Sequence, residues 1–221
     1  MTRTATRAAL AVASALAAAT LGAATAPPPP DSVAARVVAG ARAELALRTT
    51  YDLTMGYYRT SWKDGVDTGR RVYPGGDIAP SMGVCVEVPI RAFRAAGVDL
   101  QRLVHEDMAR APAAYKLGDK KLDTNIDHRR VGNLLTFFRR HWASLPTAVT
   151  PATLADWRPG DVVVWSLGGT AHADHIGVVS DATDPTSGRP LVIHNYPVPG
   201  HVAEQDVLLT WKILGHFRWK G

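Results

Sequence analysis

A single cysteine, Cys85, stands in a chain of 221 residues, and that scarcity frames the chemistry. One thiol cannot close an internal disulfide, so Cys85 is either a small buried hydrophobe or a reactive group. The pattern H-E-x-x-H is missing, and so is G-x-S-x-G. Their absence removes the usual zinc-protease and serine-hydrolase signatures. The formal net charge is +5, yet no lysine or arginine block and no aromatic stacking pattern accompanies it, so nucleic acid is not an expected partner. No apolar run reaches the roughly 20 residues of a transmembrane helix, which argues against a stable membrane anchor.

What is present begins with an export pattern. Arg3 and Arg7 give a cationic start, residues 8–21 are apolar, and Ala24-Thr25-Ala26 fits the small-x-small site of signal peptidase. The expectation is a cleaved signal peptide over residues 1–26 and a protein exported to the periplasm or the exterior. Residues 27–50 read as a proline spacer and a helix, and residues 51–221 as one domain, expected to be a monomer. A mildly basic exported chain suits an anionic polymer such as cell wall.

Apolar residues recur near helical spacing at Val33, Val37, Ala41 and Leu45, and again at Val86, Ile90, Phe93 and Val98, with Gly97 as a stop. Leu100–Arg110 and residues 130–142 form two further helix candidates, while the Tyr- and Gly-rich stretch 49–77 reads as a loop. Beyond Pro146 the runs "GDVVVWSL", "DHIGVVS", "RPLVIHN" and "WKILGHFRW" read as strands. Helices first and strands second predict an α+β domain with the helices on one face of an antiparallel sheet.

A cysteine hydrolase needs a thiol, a histidine to take its proton and a third group to orient the imidazole. Cys85 lies near a helix start, where unpaired N–H groups and the helix dipole favour a thiolate, so a low-pKa nucleophile is expected. Pro89 conflicts with a helix beginning at Cys85, because proline is tolerated only in a first turn. A symmetric hairpin closed by residues 181–188 sets His175 directly opposite His194, with Cβ atoms about 5 Å apart. Gly177 opposite Val192 would be the next pair on that face, and Asn195 would point to the other side.

The segments "GVCVEVPIRAFRAAGVDLQRLVHEDM", "DTNIDHRRVGNLLTFF", "GDVVVW", "HIGVVSD" and "IHN" together resemble a bacterial exported family known as domain of unknown function 1287. That family looks like a distant branch of the NlpC-type cell-wall peptidases, which have a papain-like fold. The resemblance implies Cys85 as nucleophile, His175 as general base and His194 as orienting group, with peptidoglycan peptide as the partner and no cofactor or metal. Val84, where NlpC-type enzymes usually carry Asp, and Pro89 depart from the pattern. A wall-binding module that keeps the fold without turnover is the alternative these departures motivate.

The stretch "DTNIDHRR" has two readings. Asn125 or Asp127 is a helix cap with the arginines solvated or paired, or the segment lines a cleft in which Arg129 or Arg130 grips a substrate carboxylate beside Asn125, Asp127 and His128. Asp174 and His172 read as a polar loop at the cleft mouth. A zinc site assembled from His172, Asp174, His175 and His194 is the chemical rival.

Overall fold

The computed structural model describes residues 28–53, 60–63, 66–71 and 73–221. The expected signal peptide lies outside them. Among the described residues four α-helices run in order: α1 (Val33–Leu47), α2 (Glu87–Ala95), α3 (Leu100–Arg110) and α4 (Val131–His141). The main sheet has six strands: β5 (Ala143–Leu145), β6 (Val162–Ser166), β7 (His175–Thr183), β8 (Pro190–Asn195), β9 (Val202–Gln205) and β10 (Lys212–Arg218). Its order is β5-β10-β6-β7-β8-β9, and every neighbouring pair is antiparallel. The domain is thus mixed α and β, as the order of helical and strand-like patterns implies.

Local chemistry explains the helix limits. Ser32 caps α1 by accepting from the Ala35 N–H, Asp99 caps α3 by accepting from the Gln101 N–H, and Gly97 ends the α2 region at a φ of 85°. Gly40 lets α1 lie on α2, since a Cβ there would come within 2.8 Å of the Ala92 Cα. The stretch read as a loop instead contributes β1 (Thr50–Tyr51), β2 (Thr60–Lys63) and β3 (Val66–Arg71). β2 pairs with β3, and β1 pairs in parallel with β4 (Met82–Gly83). Backbone pairing needs no apolar alternation in such short strands, so the sequence pattern did not reveal them.

The helices cover one face of the sheet. There Phe93, Leu134 and Phe138 pack on Val162, Val164, Ile176, Val178 and Ile193, and each fully buried large side chain is worth about 1.5–3 kcal/mol. Trp157, Val163, Trp165, Val179, Val192 and Leu208 form a second cluster on the opposite face. Every residue of β6 is buried, which accounts for its unbroken apolar run.

Candidate active site

Cys85 sits two residues ahead of α2, whose first turn is Glu87, Val88 and Pro89. The first α-helical hydrogen bond runs from the Ile90 N–H to the Val86 carbonyl at 3.1 Å. Pro89 therefore occupies a position whose N–H has no intrahelical partner, and the apparent conflict disappears. The Glu87 carboxylate folds back to accept from the Val84 N–H at 2.6 Å and receives the Arg129 Nε–H at 2.7 Å. This fixes the turn that carries the thiol.

Sγ is enclosed, with Cys85 only 7% exposed. It donates to the Asp174 carbonyl at 3.9 Å, and the N–H groups of Ile176, Cys85 and Val86 are directed at it. Burial, reinforced by the Glu87 charge, outweighs those three donors and pushes the thiol up to about 12. The expected low-pKa thiolate is thus corrected: the resting group is a protonated thiol. The physical reason is desolvation, which a helix start alone does not overcome.

The strand pairing also differs from the symmetric hairpin. Thr183 pairs with Pro190, so the loop contracts to residues 184–189. Between Val179 and Thr183, β7 then carries two more residues than the facing stretch of β8. The ladder Val178↔Ile193 and Val179↔Val192 sets His194 across from Gly177 rather than His175. The slip is even, so both histidines keep the same face. They meet on the diagonal, with His175 Nε2 2.8 Å from His194 Nδ1. Gly177 permits this approach, since a Cβ there would lie 3.2 Å from the His194 Cβ and 2.6 Å from Val192 Cγ1. Asn195 faces the other way, donating to the carbonyls of Thr49 and Gly83, each at 3.4 Å.

A second diagonal step extends the chain. Gln205 stands opposite Val192 on β9 and places Oε1 3.0 Å from His194 Nε2. Aromatic rings surround the pair: Trp165 stacks on His175 at 5.5 Å, and Tyr196 and Trp211 meet the His175 ring edge-on at 5.2 and 5.0 Å. The Tyr51 phenol is raised by burial and then by the Cys85 and Tyr196 charges. Gln205, Tyr51, Tyr196 and Trp211 were not singled out from the sequence: Gln205 is only 11 residues from His194, but the β8–β9 register that joins them follows no sequence pattern. The Trp165↔His175 register was the one juxtaposition that a correct sheet order would have given.

The structure does not hydrogen-bond the thiol to the imidazole. Cys85 packs in the helix-face cluster, whereas the His175 ring stacks on Trp165 of the opposite cluster. The start of β7 lies between them, and Sγ touches the backbone on either side of His175.

The polar segment 123–130 is reassigned. Asp127 is buried and accepts from the Asp123 N–H at 3.0 Å, and its Oδ2 lies 2.7 Å from His105 Nδ1. It does not cap α4, whose N-cap is Arg130 without a side-chain bond. Asn125 donates its backbone N–H to the Asp123 carboxylate instead of capping, and His128 is buried. The Arg129 side chain is 8% exposed and paired to Glu87, so it holds the Cys85 turn rather than lining an open cleft. Arg130 remains exposed. Asp174 accepts from the Leu167 N–H at 2.8 Å and so closes its own loop. Among the described residues, no three His, Cys, Asp or Glu side chains are grouped to hold a metal ion.

A family model described as domain of unknown function DUF1287 matches residues 38–219. The chain belongs to the DUF1287 family. It is 50% identical over 150 residues to the uncharacterized protein YijF of Escherichia coli (strain K12), covering 66% of this chain and 69% of that protein. No solved structure matches it.

In this DUF1287 domain the two histidines are uncharged at neutral pH. Burial first, and then the His194 charge, lowers His175 to about 3; burial lowers His194 to about 4. The resting site therefore holds a neutral thiol beside neutral imidazoles. Such a resting state holds no preformed thiolate–imidazolium pair.

Proposed function

We propose that this chain is an exported cysteine hydrolase of papain-like, NlpC type that cleaves an amide bond in peptidoglycan stem peptides. The observation that carries the reading is the buried run His175–His194–Gln205, which ends at a histidine whose flanking backbone cradles the only thiol. A general base needs such outer partners to fix its ring and tautomer.

In the proposed reaction the Sγ proton passes to His175 Nδ1 as sulphur attacks the amide carbonyl carbon. The Cys85 N–H stabilises the oxyanion. The imidazolium then protonates the leaving amine as the C–N bond breaks, and water hydrolyses the thioester with His175 as base. In the resting structure the start of β7 lies between Sγ and the ring, so this transfer requires the Cys85 turn or the start of β7 to move when substrate binds. The two carboxylates that sugar hydrolysis usually needs are not part of this constellation.

Digestion of purified peptidoglycan, read by mass spectrometry, tests the reading. Free stem peptide indicates amidase action and a dipeptide left on the sugar indicates endopeptidase action, while shortened glycan with intact stems defeats the amide assignment. Cys85→Ala, His175→Ala and His194→Ala should each remove turnover, with Asn195→Ala far milder. The raised thiol and the missing thiol–imidazole bond favour one rival, a wall-binding module without turnover. Unchanged wall material together with tight co-sedimentation would select that rival.

A further inference from the structure

His194 is held between two groups of unequal hydrogen-bonding ability. Its Nε2 faces the Gln205 Oε1 at 3.0 Å, and a carbonyl oxygen can only accept. With the amide oxygen, and not its NH2, turned to the ring, Nε2 carries a proton. A neutral imidazole has one N–H, so His194 Nδ1 is bare and accepts from His175 Nε2–H across the 2.8 Å contact. The same rule applied once more leaves His175 Nδ1 without a proton. Among the described residues nothing else bonds to that atom. We infer that Gln205 is a positioning residue that sets the tautomers of both histidines and keeps His175 Nδ1 bare as the proton acceptor.

The geometry gives this role to Gln205 rather than to a carboxylate. Gln205 lies on β9, one diagonal step from His194, just as His194 lies one diagonal step from His175. An amide there orients the relay without adding a charge that would turn His194 into a permanent imidazolium. When His175 Nδ1 gains a proton, its Nε2–H keeps the same acceptor, so the charged form needs no rearrangement. The consequence for turnover rests on the hydrolase reading, whereas the tautomer pattern stands or falls alone.

Long-range proton–nitrogen correlation spectra of the exported chain labelled with 15N-histidine separate the two. At neutral pH both Nε2 atoms should appear protonated and both Nδ1 atoms bare. Gln205→Glu should hold the His194 Nε2 proton, and its ionised carboxylate should add a second proton at His194 Nδ1, so that the His175 Nε2–H loses its acceptor. Gln205→Met, of similar length with no acceptor, should release the parental pattern, with mixed tautomers at both rings. Turnover of that variant on peptidoglycan should fall roughly 10- to 100-fold in kcat at unchanged KM, the scale of losing the outer partner of a working imidazole. A protonated His175 Nδ1 in the parent protein overturns the inference, as does a Gln205→Glu spectrum in which His194 Nε2 has lost its proton. So does a folded Gln205→Met protein with parental tautomers. The expected spectra in a protein that cleaves no wall material would uphold the tautomer assignment and remove the hydrolase reading instead.

Discussion

At the scale of single residues, Cys85 shows how two local effects of opposite sign are weighed. Three backbone N–H groups favour the thiolate, and enclosure opposes it. With the thiol pushed up to about 12, the reactive thiolate is a minute fraction at neutral pH. Alkylation of the folded protein by iodoacetamide should be slow at pH 7 and climb about tenfold per pH unit toward pH 11. The urea-unfolded chain should react like an ordinary thiol. Rapid labelling of the folded protein at pH 7 would contradict the burial argument. Cys85 was recognisable from the sequence as the singular residue, but its protonation state was not, because desolvation is a property of the packed surroundings and not of the neighbouring letters.

At the scale of elements, the β7–β8 hairpin decides whether the histidines meet. Its loop limits were readable only as a polar stretch, and the two extra residues of β7 follow no sequence pattern. The expected pairing was therefore off by two, yet the faces survived because strand side chains alternate with period two. The helices were more legible: Leu100–Arg110 matches α3 end to end, since Asp99 and the following helical periodicity mark it twice over. Strand β9, which supplies Gln205, is four residues long and mostly half-buried, too short for an alternation to register. Gly177→Ala tests the hairpin directly. A methyl there would collide with Val192 and crowd His194, so the variant should lose about 1–3 kcal/mol of stability. It should also lose the 2.8 Å His175–His194 contact, to be read from the proposed nitrogen spectra.

At the scale of the whole molecule, buried ion pairs reinforce joins that the core already packs. Arg91 is 9% exposed and reaches Glu44 of α1 at 2.7 Å and Asp77 at 2.9 Å, tying α1 to α2 and to the segment before β4. Asp107 plays the same part on the other flank. Burial pulls its carboxyl upward, but the bonds from Arg140, Tyr115 and His141 prevail and hold it near about 2. A carboxyl depressed in the folded state contributes stability above its unfolded value of 3.8, and that contribution is lost as pH falls toward 2. Acid unfolding followed by circular dichroism should therefore steepen between about pH 4 and pH 2. Asp107→Asn should flatten that slope while lowering stability at pH 7; an unchanged slope would refute the assignment. Arg91 and Asp107 could not be placed from the sequence, where both read as polar positions of amphipathic helices, because their partners are brought by distant segments.

The enclosure of Cys85 has a further consequence in redox chemistry. Peroxides and disulfides are attacked by thiolates, and sulphur climbs the oxidation ladder from that form. A protonated thiol in a residue only 7% exposed is thereby shielded from both. In an oxidising exterior such as the one proposed, an accessible low-pKa cysteine would be consumed by sulfenic acid formation or by mixed disulfides between chains. Here the reduced state is preserved by packing rather than by a reductant, and the sulphur is released to react only when something displaces the surroundings that cover it.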